Sequence, residues 1–191
     1  MVPRSKSRSS RRATLAGARV LVVDDHSVTV GMIKEALYAG GAAMVQSAPD
    51  GEAAIAMLNS FLPHLLVTDW KMPGMSGLEL ARAVRQAERR PDPRIANPRL
   101  PIVLVSAHAS ARAVEAARQA GVDEVVVKPF SMASLMKRIA AAANKPRAFI
   151  VSENYIGPDR RRRRGVNRGR RADDPSRAEQ ALDALAGLLD V

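Results

Sequence analysis

The chain contains 191 residues, with a formal net charge of +11 and no cysteine. This length is enough for one domain with a sizeable core and additional terminal segments. The absence of cysteine excludes a disulfide framework and a thiolate metal site, and no apolar run approaches the roughly 20 residues of a membrane-spanning helix. We therefore predict a cytoplasmic protein without a transmembrane segment.

Basic residues are concentrated toward the two ends of the chain. Residues 1–17 contain five Lys or Arg and no acid, and they lack the apolar segment of a signal peptide, so we predict a disordered basic arm. Residues 159–171 contain eight Arg and one Asp, whereas residues 172–191 contain five acids and one Arg. We place one domain at 18–145 and an Arg-rich tail at 146–191.

Hydrophobic patterning predicts alternating strands and helices within the domain. Short apolar runs bounded by charges predict strands buried on both faces, and apolar residues at three- and four-residue spacing predict helices. The predicted strands are 19–23, 43–47, 65–69, 100–105 and 125–127, and the predicted helices are 27–39, 51–59, 78–90, 109–120 and 132–144. This alternation indicates βαβαβ winding in an α/β domain. Closely spaced prolines forbid helix after the third helix and predict an insertion over 91–99.

Charged side chains follow three of the predicted strands. Asp24 and Asp25 follow the first strand, Asp69 ends the third, and Lys128 follows the fifth. In an open parallel α/β sheet, ligands bind in the crevice outside the carboxyl ends of the strands. We therefore expect three carboxylates and one ammonium to share a rim, which suits a hard divalent cation together with a phosphate group.

Four short motifs occur in order at the ends of these strands. They are Asp-Asp at 24–25, Asp-x-x-Met-Pro-Gly at 69–74, Ser-Ala at 106–107 and Lys-Pro-Phe at 128–130. Over residues 18–145 the chain resembles the receiver domain of two-component response regulators, as a stand-alone, chemotaxis-type receiver with an Arg-rich C-terminal tail. The resemblance implies a doubly wound α/β fold, with a flavodoxin-like, five-stranded parallel sheet of order 2-1-3-4-5, followed by a mostly disordered tail that ends in a short helix.

The resemblance also implies a phosphorylation site and a magnesium site. Asp69 would accept a phosphoryl group, while Asp25 and Asp69 would bind Mg²⁺ directly. Asp24 would act partly through water, and the backbone carbonyl of Lys71 would complete the protein ligands. Taken alone, an Asp-Asp pair is also typical of a helix N-cap with a solvated neighbour.

The family's phosphate-stabilising residues correspond to Lys128 and Ser106. Lys128 would pair with one phosphoryl oxygen, and the Ser106 hydroxyl would donate a hydrogen bond to another. The alternative for Lys128 is a solvated side chain, and for Ser106 a hydroxyl that bonds its own backbone. The Lys128-Pro129 bond resembles the family's cis peptide.

The resemblance implies a partner that carries phosphohistidine, either a sensor histidine kinase or a histidine phosphotransfer protein. The chain would signal through protein contacts in a two-component phosphorelay. It would not be an enzyme beyond catalysing its own phosphoryl transfer and autodephosphorylation. The alternative is a phosphorylation-independent interaction module that keeps the fold and has lost its switch.

The sequence departs from the family at one switch position and leaves two further positions open. The family has Tyr or Phe three residues before the lysine, whereas this chain has Val125, so transmission of the signal through an aromatic ring is not expected. Lys71 and His108 occupy positions that tune phosphate lifetime in the family. They also fit solvated rim side chains.

The tail predicts an interaction surface whose partner the sequence leaves open. The tail contains five consecutive arginines: Arg160, Arg161, Arg162, Arg163 and Arg164. They could bind an acidic protein surface, anionic lipid or, without sequence specificity, nucleic acid. Specific DNA binding is not expected, because 146–191 is too short for a winged-helix domain. Asp174 predicts the N-cap of an amphipathic helix over about 175–190.

Overall fold

The computed structural model describes residues 15–144 and 147–161. Five strands form one sheet in the order β2-β1-β3-β4-β5, and every neighbouring pair is parallel. They are β1 Arg19–Val23, β2 Met44–Ala48, β3 Leu65–Asp69, β4 Ile102–Ser106 and β5 Glu124–Val127. This topology confirms the predicted doubly wound fold and its strand order.

Five helices connect and follow these strands: α1 Ser27–Ala39, α2 Gly51–Phe61, α3 Gly77–Gln86, α4 Ala111–Gln119 and α5 Met132–Asn144. Asp50, Ser76 and Ser110 each accept a hydrogen bond from the first turn of their helix, which satisfies an otherwise unpaired N–H. Helix α1 has the predicted bounds, and its N-cap residue His26 makes no side-chain cap hydrogen bond.

The core lies on both faces of the sheet. Alternate residues of β1 point to opposite faces, so Leu21 belongs to one cluster and Val22 to the other. The first cluster contains buried residues of α2, α3 and α4, whereas the second contains those of α1 and α5. Coverage of both faces explains why the strands are continuous apolar runs.

The domain begins before the predicted boundary at residue 18. Leu15 is only 3% exposed and packs with the α1 and α5 cluster. Its backbone N–H donates to Gly40 O at 3.0 Å, and its carbonyl accepts from Ala18 N at 2.9 Å. Burial of a single leucine therefore extends the domain into the predicted basic arm, and residues 1–14 lie outside the described part.

The predicted insertion packs against the domain through one apolar residue. Helix α3 ends at Gln86 rather than near 90, and irregular chain follows as far as β4. Ile95 is 7% exposed and joins the core cluster that contains α2 and α3. The insertion therefore contributes to the core despite its prolines.

The predicted tail boundary at 146 must also be moved. Strands β6 Phe149–Ser152 and β7 Tyr155–Pro158 form an antiparallel hairpin, and β7 packs against α3. Gly157 allows β7 to approach the chain directly after α4, since a Cβ there would lie 2.8 Å from Gly121 Cα. Strands of four residues have little pattern of their own, so the pairing of β6 with β7 and the burial of β7 decide their structure.

No helix among the residues described is both long and apolar enough to span a membrane. The predicted amphipathic helix at 175–190 lies outside those residues.

Candidate functional site

The acidic rim, defined as Asp24, Asp25 and Asp69, lies at the carboxyl ends of β1 and β3. Lys128, which follows β5, contacts the rim through its ammonium group. Its Nζ lies 2.5 Å from Asp69 Oδ1 and 3.6 Å from Asp24 Oδ2. Asp24 and Asp69 are 4% and 8% exposed, so two buried carboxylates from separate strands share one ammonium.

The charges on the acidic rim control the protonation of Lys128. Burial on its own lowers the pKa of the ammonium, because it disfavours the charged form. The hydrogen bond and charge of Asp69, with the charge of Asp24, outweigh burial and raise the pKa above its ordinary value. Lys128 is therefore fully cationic at neutral pH.

Asp24 has an unsatisfied oxygen within this site. Its Oδ1 accepts the backbone N–H of His26 at 2.8 Å. Its Oδ2 is buried and accepts no hydrogen bond from any described group, since Lys128 at 3.6 Å is an ion-pair partner beyond hydrogen-bond distance. A buried carboxylate oxygen without a donor, among other carboxylates, suits a hard cation such as Mg²⁺.

His26 is a neighbour of the rim that sequence analysis missed. Its Nδ1 lies 2.9 Å from Asp25 Oδ1 and 3.4 Å from Asp24 Oδ1, and its side chain is 71% exposed. The available signal was its position immediately after the acidic pair, where the N-cap of α1 turns the ring back toward both carboxylates.

Lys71 contacts the phosphoacceptor candidate through its backbone. Its N–H donates to Asp69 Oδ2 at 2.8 Å, while its side chain is exposed. Both Asp69 oxygens therefore have a donor, one from Lys71 and one from Lys128. The roles predicted for the Lys71 carbonyl and side chain stay predictions.

Ser106 ends β4 but does not bond to the rim. Its fully buried Oγ accepts the His108 backbone N–H at 2.9 Å and donates to the His108 carbonyl at 3.2 Å. This is the backbone-bonded hydroxyl that the sequence left open as an alternative. The exposed His108 ring lies 6.1 Å from the Trp70 ring, centroid to centroid.

Two further positions singled out in the sequence are Val125 on β5 and the Lys128-Pro129 peptide after it. Val125 is partly buried and packs against the cluster that contains α2, α3 and α4. The Lys128-Pro129 peptide is cis, as predicted.

Two of the five predicted tail arginines fall in the described residues, Arg160 and Arg161. The Arg160 guanidinium lies 4.3 Å from the centre of the Tyr155 ring, and its Nη1 lies 3.8 Å from Glu115 Oε1 on α4. Arg160 therefore connects the β6–β7 hairpin to α4. Residues 162–164 lie outside the described part.

Fold and rim together define a doubly wound α/β domain with an acidic pocket at the carboxyl ends of its strands. The family described as the response regulator receiver domain matches residues 20–140. The chain therefore belongs to this family, and it is similar to chemotaxis-type receivers.

The relatives and solved structures each cover about two thirds of the chain. The chemotaxis protein CheY of Pseudomonas aeruginosa is 41% identical over 63% of this chain and 92% of its own length. CheY-3 of Vibrio cholerae is 35% identical over 63% and 88%. The structure of CheY4 of Vibrio cholerae matches with a TM-score of 0.57 and 28% identity, covering 66% of this chain and 99% of that one. The receiver domain of the Francisella response regulator 1452 matches with 0.59 and 26%, covering 68% and 98%.

Membership of the family establishes the general function. Receiver domains accept a phosphoryl group in two-component signalling, bind Mg²⁺ at an acidic pocket, and are generally not classical enzymes. The family match ends at residue 140, so the β6–β7 hairpin lies beyond it.

Proposed function

We propose that Asp69 accepts a phosphoryl group from a phosphohistidine donor, with Mg²⁺ held by Asp24, Asp25, Asp69 and the Lys71 carbonyl. The observation that carries this proposal is the cluster at Asp69. There an ammonium lies against the carboxylate, and a buried Asp24 oxygen has no hydrogen-bond donor. A structural ion pair alone has no need of the second buried carboxylate, because each buried charge costs solvation energy.

Phosphoryl transfer requires mainly positioning and charge stabilisation, and the site supplies both. An Asp69 oxygen attacks phosphorus while the bond to the donor's imidazole nitrogen breaks. Lys128, already in contact with Asp69, neutralises one phosphoryl oxygen. The bound cation supplies further neutralisation of the phosphoryl oxygens.

Ser106 provides a route from the phosphoryl group to the rest of the domain. To donate to a phosphoryl oxygen, its hydroxyl must leave the His108 carbonyl. The loop between β4 and α4 is then released at one point. Since Val125 has no ring to transmit this movement, the signal passes to protein partners through the loop, α4 and the Arg160 contact on that helix.

The fluorescence of Trp70, the only tryptophan, tests the proposal directly. Addition of beryllofluoride, a phosphoryl mimic, is expected to change the emission only when Mg²⁺ is present, because Trp70 follows Asp69 and lies partly buried. Acetyl phosphate should give the same change, together with a mass increase of one phosphoryl group.

The matched variant is Asp69→Asn, which keeps the shape of the side chain but removes its nucleophilic carboxylate. We expect no Trp70 response and no mass increase. A variant that still acquires the phosphoryl group would exclude Asp69 as the acceptor, and a wild-type protein without any response would favour the phosphorylation-independent module.

The exposed apolar face of α1 suits a protein donor. Val28 and Met32 are 75% and 52% exposed, and their spacing of four residues puts them on one side of the helix. Helix α1 starts directly after the acidic pair, so a donor that delivers its imidazole to Asp69 passes close to this face. Exposed apolar groups beside a polar site are typical of a protein contact surface.

Met32→Glu is expected to slow phosphotransfer from a phosphorylated histidine phosphotransfer protein by about tenfold, since a buried charge weakens an apolar contact. Phosphorylation by acetyl phosphate should not change, because the small donor needs no docking face. Met44→Glu, at a 49% exposed methionine on β2, is the matched control and should affect neither reaction. Equal slowing with both donors would contradict a docking role for α1.

A further inference from the structure

A cavity lies at the amino ends of β1, β3 and β4, at the opposite end of the sheet from the acidic rim. Its volume is about 170 Å³, and we call it the basal cavity. Its apolar lining includes Leu58 and Leu62 at the end of α2, Ile95 of the insertion and Leu100 before β4. An apolar cavity of about 150 Å³ can bind benzene, so the basal cavity is large enough for a group of that size.

Three polar side chains also line the basal cavity, and each has an N–H group available. Arg19 donates from Nε and Nη2 to Leu62 O at 2.9 and 2.7 Å, which leaves Nη1 without a partner among the described residues. His64 Nδ1 accepts the Arg19 backbone N–H at 3.2 Å, so the neutral ring carries its proton on Nε2. Asn97 Oδ1 accepts the Arg99 N–H at 3.0 Å, which leaves the amide N–H groups. The side-chain groups available to a ligand are therefore donors.

Arg19 gives the basal cavity a positive charge that has no acidic partner. None of the described residues that line the cavity is acidic, and Arg19 forms no ion pair with any other described residue. By contrast, Arg85 and Arg147 pair with Asp123 and Glu124. A guanidinium matches the planar geometry of a carboxylate, so an anionic ligand would supply the partner that Arg19 lacks.

We propose that the basal cavity binds a small organic monocarboxylate with a short apolar or aromatic body. Its carboxylate accepts from Arg19, His64 and Asn97, and its body packs against Ile95 and Leu100. The single formal positive charge of the lining suits one carboxylate. A volume below the roughly 300 Å³ of pockets for drug-sized ligands excludes larger molecules. This site is separate from the acidic rim and does not depend on phosphoryl acceptance.

The test titrates the full chain with sodium benzoate, which carries one carboxylate on one ring, and follows the ¹H–¹⁵N chemical shifts by NMR. We expect saturable shifts at residues 62–64 and 95–97, with a Kd of about 1 mM or below. Benzamide has the same shape without the charge and should bind about tenfold more weakly, because charge-assisted hydrogen bonds are the stronger ones. Acetate, which lacks the ring, should also bind about tenfold more weakly.

Asn97→Asp is the variant that tests the ligand class. Aspartate keeps an acceptor for the Arg99 N–H, but it removes the amide donors and repels a bound carboxylate. Benzoate affinity should fall by about tenfold or more. Benzamide affinity should not fall, and its retention shows that the cavity is still formed. Asn154→Asp is the matched control, because it makes the same charge change at an exposed residue of the β6–β7 turn and should leave benzoate binding unchanged.

Four results would overturn the proposal. The first is the absence of saturable benzoate shifts at the basal cavity. The second is equal affinity for benzoate and benzamide, since the cavity would then select only an apolar ring. The third is an equal loss of benzoate affinity in Asn97→Asp and Asn154→Asp, which would indicate general repulsion of an anion. The fourth is a set of shifts that centres on Arg160 and Arg161 and persists in Asn97→Asp, because benzoate would then bind arginines outside the cavity.

Discussion

Replacing Arg85 with Ala is expected to lower the free energy of unfolding by about 3–5 kcal/mol, the range for breaking a buried ion pair by removing one partner. Arg85 lies on α3 with its side chain 3% exposed, and its Nη2 is 3.0 Å from Asp123 Oδ2. Urea unfolding with an unchanged denaturant dependence measures the loss.

The size of this effect follows from the number of groups that Arg85 satisfies. Its Nε donates to Gly121 O at 2.9 Å, and its Nη1 donates to Pro98 O at 2.7 Å and Leu100 O at 2.8 Å. Three backbone carbonyls would lose this donor together, and the Asp123 carboxylate would lose its ion-pair partner while keeping the Ile102 N–H. Each unsatisfied buried group costs about 1–3 kcal/mol, so the sum over these groups would exceed the expected loss. Local relaxation and water that enters the site must therefore satisfy some of them.

The loss should depend on pH with a definite sign. Burial raises the pKa of Asp123 above its ordinary value, although the charge of Arg85 and the Ile102 N–H oppose the rise. Without Arg85 the folded-state pKa rises further above the unfolded value, so the folded variant binds more protons and becomes relatively more stable as the pH falls. The difference between wild type and Arg85→Ala should therefore shrink from neutral to mildly acidic buffer.

Arg82→Ala provides the control, because Arg82 lies on the same helix and is exposed. Its loss should stay within about 0.5 kcal/mol, as for most surface substitutions. A similar loss in both variants, or a gap for Arg85→Ala that widens in acid, would contradict a buried ion pair with Asp123.

Gly77→Ala is expected to destabilise the domain by at least about 1–3 kcal/mol, the range for overpacking, and to impair phosphoryl acceptance. A Cβ at this position would overlap the backbone carbonyl oxygen of Asp69 and lie 2.9 Å from Thr68 Oγ1. Backbone at the end of β3 cannot move aside as a flexible side chain can. Either α3 or the phosphoacceptor must shift, and the Gly77 N–H bond to Trp70 O shifts with it.

Gly31→Ala is the matched substitution. Outside the adjacent residues and the backbone of α1 itself, no atom lies within 4 Å of a Cβ at Gly31. Alanine there should therefore stabilise by about 0.5–1 kcal/mol through helix propensity. Urea unfolding and the Trp70 response to Mg²⁺ and beryllofluoride measure both effects. A Gly77→Ala protein with wild-type stability and response would contradict this prediction, because α3 could then move away from β3 without lowering the free energy of unfolding.

The sequence by itself determined the strands of the sheet and the charged residues at their carboxyl ends. The runs that became β1 and β3 are continuous and apolar because both faces are covered, and they end directly at Asp24 and Asp69. Parallel strands expose their carboxyl ends on one edge, so the approach of Lys128 to these acids follows from strand order. Hydrophobic pattern and strand order are therefore enough to predict the strands and the charged residues that meet at this edge.

Tertiary structure decided which polar groups actually meet. Arg85 looks like an ordinary charged residue on an amphipathic helix, yet carbonyls distant in sequence bury it completely. The Ser106 hydroxyl turns to the His108 backbone, and His26 turns back to the acidic pair, because loop and cap geometry set these directions. The β6–β7 hairpin is stable through packing at Gly121 and Gly157. Such long-range contacts have no period along the chain, so no local pattern could predict them.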